Sequence, residues 1–476
     1  MKRTPRPITG THLFQRERCR RFVWLEFHGD ITKKAPPDAA AEVRLARGRA
    51  HEKEIIANLS VVEPKYPARD FAAGARETLK LMKAGENLIY QGVLTNDGRV
   101  GIPDLLRRAE NGRYVVGDVK ASNEPKIEHA MQVAFYSELL SKTLSEPPPD
   151  HGFLILANGA EAKINLNEIS YLYQEAAADV EQIRNGAAEP RAAMNSHCGG
   201  CAWRNVCIPE MQTKRDLSLV YSITPARRAA LESASIVNIN DLAECEPAAV
   251  AEKTELPRET LRRLRLQAIA LLQNKSQRLG ALSWKPARIA VAAAIARDPR
   301  GTHYAEFMLY RTSKDKDRLE ETWFHSEARE AKDEAVAYRK FIFALAGDRD
   351  APIYHFGPGL PDAMAELDSR HGMLNDPVHG VFARLHDVQT SLRSALVLPA
   401  YHYDLTSVTN ALGIPLPPLE APNGTETDDA LIVSLRRRAA EEVKAIRNIR
   451  VAAQRAWEAA GEMTTVKEVN TIHTAI

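Results

Sequence analysis

The sequence predicts a multidomain protein of the α+β and α/β classes. Three observations point there. Hairpin turns punctuate the first third, helical spacing alone fills the middle, and strand-like segments return before a long charged helical pattern. In residues 1–212 a meander of strands is flanked by helices, which is the α+β arrangement. Residues 213–278 read as all-helical, residues 279–460 as mixed α/β, and residues 461–476 as a tail without periodicity. A chain of 476 residues accommodates about two to four domains, each large enough to bury a core.

Taken in order, "GTHLFQRERCRRFVWLEFH" (10–28) has helical spacing with a basic face. Residues 38–60 predict a long helix and residues 70–84 another. Strand-like segments follow at 87–96, 99–110 and 113–122. "NDG" (96–98) and "NG" (111–112) join them, and both are hairpin signals. Residues 126–143 return to helical periodicity, with Met131, Phe135, Leu139 and Leu140 on one side. "GFLILAN" (152–158) predicts a buried strand and residues 167–186 a helix. In the helical region, Thr224 before Pro225 and Asp241 are start signals. "ARIAVAAAIA" and "APIYHFG" predict strands, and residues 431–460 a long charged helix.

A net charge of +2, with 26% charged and 44% apolar residues, is ordinary for a soluble globular protein. It announces no polyanion-binding surface and leaves room for a local basic groove. "MKRTPRPITGTH" lacks the apolar core of a signal peptide, and "IAVAAAIA" is too short to span a bilayer. The expectation is a cytoplasmic protein without a membrane partner. Five cysteines in that setting are expected to be buried, reactive or metal-bound rather than disulfide-linked.

"GDVKAS" (117–122) follows an apolar run and puts Asp118 and Lys120 on the same side of a strand. A surface ion pair has the same spacing. Asp104, in "GIPDLL", lies on the preceding strand of a hairpin, about 5 Å away across the ladder, so it stands next to Asp118. Two converging carboxylates repel unless a cation neutralises them, and Mg²⁺ or Mn²⁺ prefers such hard oxygen ligands. His51, in "RGRAHE", is positioned on an earlier helix to add a nitrogen ligand, which favours Mn²⁺. Lys120 then lies where an ammonium orients a water or steadies a phosphorane oxygen. The chemistry is attack of metal-activated water on a phosphodiester. Gln132 and Tyr136, four apart in "MQVAFYSELL", share a helical face suited to a phosphate or a base.

These motifs together, GxxH (Gly48–His51), GxxD (Gly101–Asp104), DxK (Asp118–Lys120) and QxxxY (Gln132–Tyr136), resemble the RecB-like nucleases of the PD-(D/E)XK superfamily. A lone DxK is common by chance; four motifs in this order on helix, strand, strand and helix are specific. The resemblance implies that His51, Asp104 and Asp118 bind the metal, with the carbonyl of Val119 as a further ligand. It implies that Lys120 is catalytic and that Gln132 and Tyr136 touch DNA.

Cys198, Cys201 and Cys207 form C-x2-C-x5-C in "HCGGCAWRNVC", one thiolate short of the four that a zinc or iron–sulfur site takes. Cys19 can supply the fourth. One cysteine far upstream and three downstream resemble the iron–sulfur nucleases among CRISPR-associated RecB-like exonucleases and AddAB-type nuclease subunits. There a [4Fe–4S] cluster staples the N-terminal helix to the end of the nuclease domain. A Zn²⁺ site that includes His197, and unrelated buried thiols, remain the alternatives. Cys245 reads as a core thiol.

Residues 217–273 are similar to helix-hairpin-helix DNA binders, with Arg258, Arg262, Arg263 and Arg265 available to phosphates but no glycine-rich hairpin. Residues 285–457 resemble an RNase H-like domain of the DEDD-exonuclease type, carried by "IYHFG", "LHDVQTSL" and "LPAYHYDLTSVTNALGI". Such enzymes hold two metals with four acids. The first strand reads "RIAVAAAIA" instead of carrying an acid pair; Asp387 matches one acid and Glu442 stands near another. The domain therefore reads as degenerate. No Walker-type phosphate loop is present, so a helicase partner would be a separate protein.

The expected function is a metal-dependent deoxyribonuclease acting on single-stranded DNA ends, exonuclease rather than endonuclease, in repair or antiviral defence. Arg18, Arg20, Arg21 and Lys126 are expected to line its groove. The competing expectation is a catalytically silent component that binds nucleic acid or a partner.

Overall fold

The computed structural model describes residues 6–37, 39–122, 124–187, 189–297, 303–313, 320–326, 331–372, 378–416 and 428–460; the expected tail 461–476 lies outside them. The chain divides into two compact units, Met1–Ala192 with Ser196–Ile208, and Ala193–Asn195 with Pro209–Ile476. Residues 213–278 thus share a unit with residues 279–460.

The first unit opens with β1 (Ile8–Thr9) and α1 (Gly10–Arg18), joined by a capping box in which the Thr9 N–H donates to His12 Nδ1 at 3.0 Å. Burial pulls the His12 pKa down to about 4, so the ring is neutral and its nitrogen can accept. The single helix expected over 10–28 is two: Cys19 is extended (φ −167°) and separates α1 from α2 (Arg20–His28). Next come α3 (Ala39–Ala57) and α4 (Phe71–Ala84), the latter closed by Gly85 at φ +80°.

Five short strands stand where three long ones were expected: β2 (Leu88–Tyr90), β3 (Leu94–Asn96), β4 (Arg99–Gly101), β5 (Leu105–Arg108) and β6 (Tyr114–Val119). Gln91, at φ +50°, turns the chain out of the sheet between β2 and β3, and Pro103 interrupts pairing between β4 and β5. Then follow α5 (Ile127–Leu144), β7 (His151–Ile155), β8 (Glu161–Asn165), α6 (Leu166–Arg184) and α7 (Arg204–Thr213). The main sheet runs β2-β5-β6-β7-β8, with β6 antiparallel to β5 and parallel to β7; β1-β4-β3 form a small second sheet. All six residues of β6 are buried, as its unbroken apolar lead-in requires. Phe135, Leu139 and Val133 of α5 pack on Leu106, Val116 and Leu154 of the sheets to make the core.

The second unit begins with α8 (Pro225–Ser233), α9 (Ile239–Glu244), α10 (Pro247–Lys253) and α11 (Arg258–Gln273), followed by β9 (Gln277–Arg278). Its sheet comes from β10 (Ile289–Arg297), β11 (Tyr304–Ser313), β12 (Glu320–His325), β13 (Ile353–His355) and β14 (Leu385–Asp387). Helices α12 (Ala331–Gly347), α13 (Gly359–His371) and α14 (Val378–Phe382) fall between the later strands; α15 (Val388–Ala395), β15 (Leu396–Val397), α16 (Leu405–Ala411) and α17 (Asp428–Ala459) complete it. The order is β12-β11-β10-β13-β14, with the first three antiparallel and the last three parallel. Alternation along β10 sends Ala292 and Ala294 toward Val443, Ile446 and Ile449 of α17, and Val291 and Ala293 toward Tyr338 and Phe341 of α12. The α11 residue Gln267 donates to the carbonyls of Leu398 and Ala400, tying the helical segment into this unit. No helix among the described residues is long and apolar enough to cross a membrane.

Candidate active site

The β5–β6 hairpin turns at Gly112, which adopts φ +80°. Leu105 pairs with Gly117, so the next step of the antiparallel ladder sets Asp104 opposite Asp118. Gly117 permits this because the Phe153 ring lies against it; a Cβ there would come within 2.1 Å of the ring. Asp104 Oδ2 accepts from the Val119 N–H at 2.7 Å. Asp118 is only 2% exposed. Burial, reinforced by the Asp118 carboxylate beside it and by Glu52, holds the Asp104 carboxyl well above the usual carboxylate range.

Lys120 follows directly on β6, and its N–H still bonds the Ile155 carbonyl at 2.8 Å. Its ammonium is ion-paired with Asp118 Oδ2 and donates to Gln132 Oε1 at 3.0 Å. Burial works to lower the Lys120 pKa, but Asp118, then Asp104 and Glu52, outweigh it and the pKa rises, so the residue is a fixed cation. Gln132 Nε2 in turn donates to the Tyr136 hydroxyl at 2.8 Å. Tyr136 is buried, its ring pressed between Gly10 and Gly101, where a Cβ on either glycine would lie 2.8 Å from it. Asp104, Asp118, Lys120, Gln132 and Tyr136 therefore form one connected group.

Residues 25–208 match a family model described as the PD-(D/E)XK nuclease superfamily. The first unit carries a PD-(D/E)XK nuclease superfamily domain. Pro103–Asp104 and Asp118–Lys120 carry the letters of that name. Members of the superfamily are typically metal-dependent nucleases. No curated protein matches the chain. A solved structure titled "Crystal structure of SSO0001" is 21% identical, with 44% of this chain and 88% of that chain covered and a TM-score of 0.22.

Residues that sequence reasoning missed also border this group. Glu52 of α3 accepts from the Tyr90 hydroxyl at 2.9 Å and from Gln91 Nε2 at 3.3 Å, while the Gln91 N–H bonds the Asp104 carbonyl at 3.0 Å. Glu52 adds its charge to the field at both Asp104 and Lys120. It adjoins His51 in the sequence, and that adjacency was the only available signal. His51 Nε2 is buried without a hydrogen-bond partner. His129 of α5, stacked on Phe14, is held at a pKa of about 4 by burial and then by the Lys120 charge.

Among the described residues, no three His, Cys, Asp or Glu side chains are gathered as a ready-made metal site. Asp104 and Asp118 meet, but His51 does not complete a set of three with them. The donor chemistry still fits a hard divalent cation: two buried carboxylates that oppose one another's ionisation, and, on α3, an imidazole nitrogen buried without a partner.

The four cysteines are likewise not drawn into one ligand set. Cys19, Cys201 and Cys207 lie near enough for their charges to act on one another, and the Cys201 N–H bonds the Cys198 carbonyl at 3.2 Å. Burial raises the Cys201 pKa and pushes Cys207 up to about 11. The expected basic groove is also altered. Arg18 pairs with Glu128, Arg20 with Asp179 and Arg21 with Glu189, so three of the four cations are neutralised within the domain.

The raised Asp104 pKa has a testable sign. The folded protein binds that proton more tightly than the unfolded chain. Its stabilising effect is full below the ordinary carboxylate pKa and fades as pH rises toward the folded value. In chelator, thermal stability is expected to fall with pH through that window. Saturating Mn²⁺ should flatten the slope by taking the proton's place, and Asp104→Asn should abolish both effects. An unchanged slope in the variant refutes the coupling.

Proposed function

We propose that the protein is a metal-dependent deoxyribonuclease that trims single-stranded DNA from an end, using Mg²⁺ or Mn²⁺ at Asp104 and Asp118. The observation that carries this reading is the convergence of those two buried carboxylates with the Lys120 ammonium at the end of β6. His51 and the Val119 carbonyl are the further ligands proposed. The cation would activate water and neutralise phosphate charge. Lys120 is fixed to stabilise charge that builds on the phosphate oxygens. Gln132 and Tyr136 hold Lys120 in place through the chain of hydrogen bonds; a strand reaching Lys120 would meet Gln132 first, since Tyr136 is buried.

A [4Fe–4S] cluster held by Cys19, Cys198, Cys201 and Cys207 fits the grouping of Cys19, Cys201 and Cys207; Zn²⁺ is the alternative metal. Residues 279–460 are proposed to be an RNase H-like domain that has lost its own metal acids. Three antiparallel strands followed by two parallel ones support that reading, and Asp387 is spent as the cap of α15, accepting from the Gln389 and Gly357 N–H groups.

The test uses full-length protein purified without oxygen, as wild type and Asp118→Asn, with single-stranded DNA labelled at either end and Mn²⁺. Only the wild type should release label, and the labelled end that goes first gives the polarity. Equal cleavage by both proteins removes Asp118 from the chemistry. No cleavage by either favours the silent binding component. In the same preparations stoichiometric iron and sulfide are expected and should be lost in Cys19→Ser; zinc without sulfide replaces the cluster.

A further inference from the structure

The second unit holds a cleft that the active site does not use. It opens where β10 begins, beside the end of β11 and the last turns of α17, with a volume of about 630 Å³. Lys285, Arg288, Arg447, Arg450 and Arg455 line it, and among the described residues no carboxylate does. Among the described residues, Lys285, Arg447, Arg450 and Arg455 have no acidic partner. Elsewhere in this unit Arg297 pairs with Glu366, Arg311 with Asp348 and Arg370 with Glu334.

Two donors in the lining are buried and unmatched: Trp284 Nε1 and Arg450 Nε. A buried donor without an acceptor is costly, so the cleft is built for acceptor atoms. The Arg450 guanidinium lies 3.5 Å above the Tyr354 ring and 5.6 Å from the Trp284 ring, which fixes it in place. Burial pulls its pKa below the usual arginine value, a penalty that an anion would relieve. Arg447, Val451 and Arg455 recur every fourth residue, so their side chains share one face of α17 over about 12 Å. That length exceeds a single phosphate and suits several in succession. The half-buried Trp284 offers a stacking surface that a base can use and an acidic peptide cannot.

We propose that this cleft binds a single strand of nucleic acid, with successive phosphates along the Arg447–Arg455 face of α17 and a base against Trp284. The inference stands on the cleft alone and does not require cleavage by the first unit.

The test is fluorescence anisotropy of full-length protein with a labelled thymidine oligonucleotide in chelator, so that no strand is cut, across a salt series. Lys285→Ala/Arg447→Ala/Arg455→Ala is expected to weaken binding at least ten-fold. The salt slope should fall by about 2, roughly 0.7 for each of the phosphate contacts removed. Arg455→Ala alone, at an exposed position, should lower the slope by about 0.7 and guards against misfolding of the triple variant. Trp284→Ala should weaken binding without changing the slope. Wild-type affinity and slope in the triple and single variants overturn the proposal. So does wild-type binding of polyglutamate as tight as that of the oligonucleotide, because the patch then reads charge only. Cleavage is followed separately with Asp118→Asn, so failure of either reading leaves the other standing.

Discussion

Lys120→Ala is expected to slow cleavage of single-stranded DNA by roughly 10²–10³-fold, the usual effect of removing one preorganised group that stabilises transition-state charge. The Lys120 ammonium is ion-paired with Asp118 and adds positive charge beside the two carboxylates. Its removal should leave divalent-cation affinity undiminished, or raise it, because a competing cation has gone. Asp118→Asn should lose both cation binding and cleavage. Titration of Mn²⁺ against thermal stability, run beside the cleavage assay, tells the two apart. A Lys120→Ala protein that cuts within two-fold of wild type would remove the ammonium from the chemistry. Gln132→Ala should cost less, on the order of 10-fold, since Gln132 orients Lys120 from behind.

Trp203→Ala is expected to destabilise the first unit by about 3–5 kcal/mol, the range for a fully buried aromatic cut back to alanine. Trp203 is 1% exposed and lies between Cys201 and Cys207 in the sequence. Its Nε1 donates to Glu26 Oε1 of α2 at 2.8 Å, and Lys34 Nζ meets the same oxygen at 2.7 Å. Gly29 packs on the ring so closely that a Cβ there would come within 2.9 Å. The cysteine-bearing segment is therefore fastened to α2 by packing and a hydrogen bond, whatever metal the thiols bind. Trp203→Phe keeps most of the volume and should cost about 1.5–3 kcal/mol for the lost bond to a charged acceptor. Urea denaturation of both variants checks the order. A loss under about 1 kcal/mol in the alanine variant would shift the fastening role to the cysteines.

The centre of the site was legible because it is local. Asn111 and Gly112 mark the hairpin, the hairpin fixes the register, and the register puts Asp104 across from Asp118. The two-residue period then aims Asp118 and Lys120 the same way. What escaped was decided at longer range or by single residues. Glu52 reaches the site because α3 packs beside β6, and its place next to His51 was the one hint of this in its own stretch of the chain. The break at Cys19 has no glycine or proline to announce it. The exit at Gln91 needed a positive φ from a residue that seldom adopts one. The polar composition of "EAKIN" hid β8, an edge strand with one buried residue, Ile164. In the cysteine region, spacing identified the residues but not their convergence, which chain geometry alone does not dictate.

The position of the Lys120 ammonium is set by a chain of parts: Gln132 gauges the lysine, Tyr136 gauges the glutamine, and two hydrogens, on Gly10 and Gly101, gauge the tyrosine ring. Each link passes its positional error to the next. A methyl group added at Gly10, more than a hundred residues from Lys120 in the sequence, would push the ring and detune the far end of the series. The small sheet that joins β1 to β4 brings those two glycines to the ring, so it is an alignment jig for the candidate site as well as part of its shell.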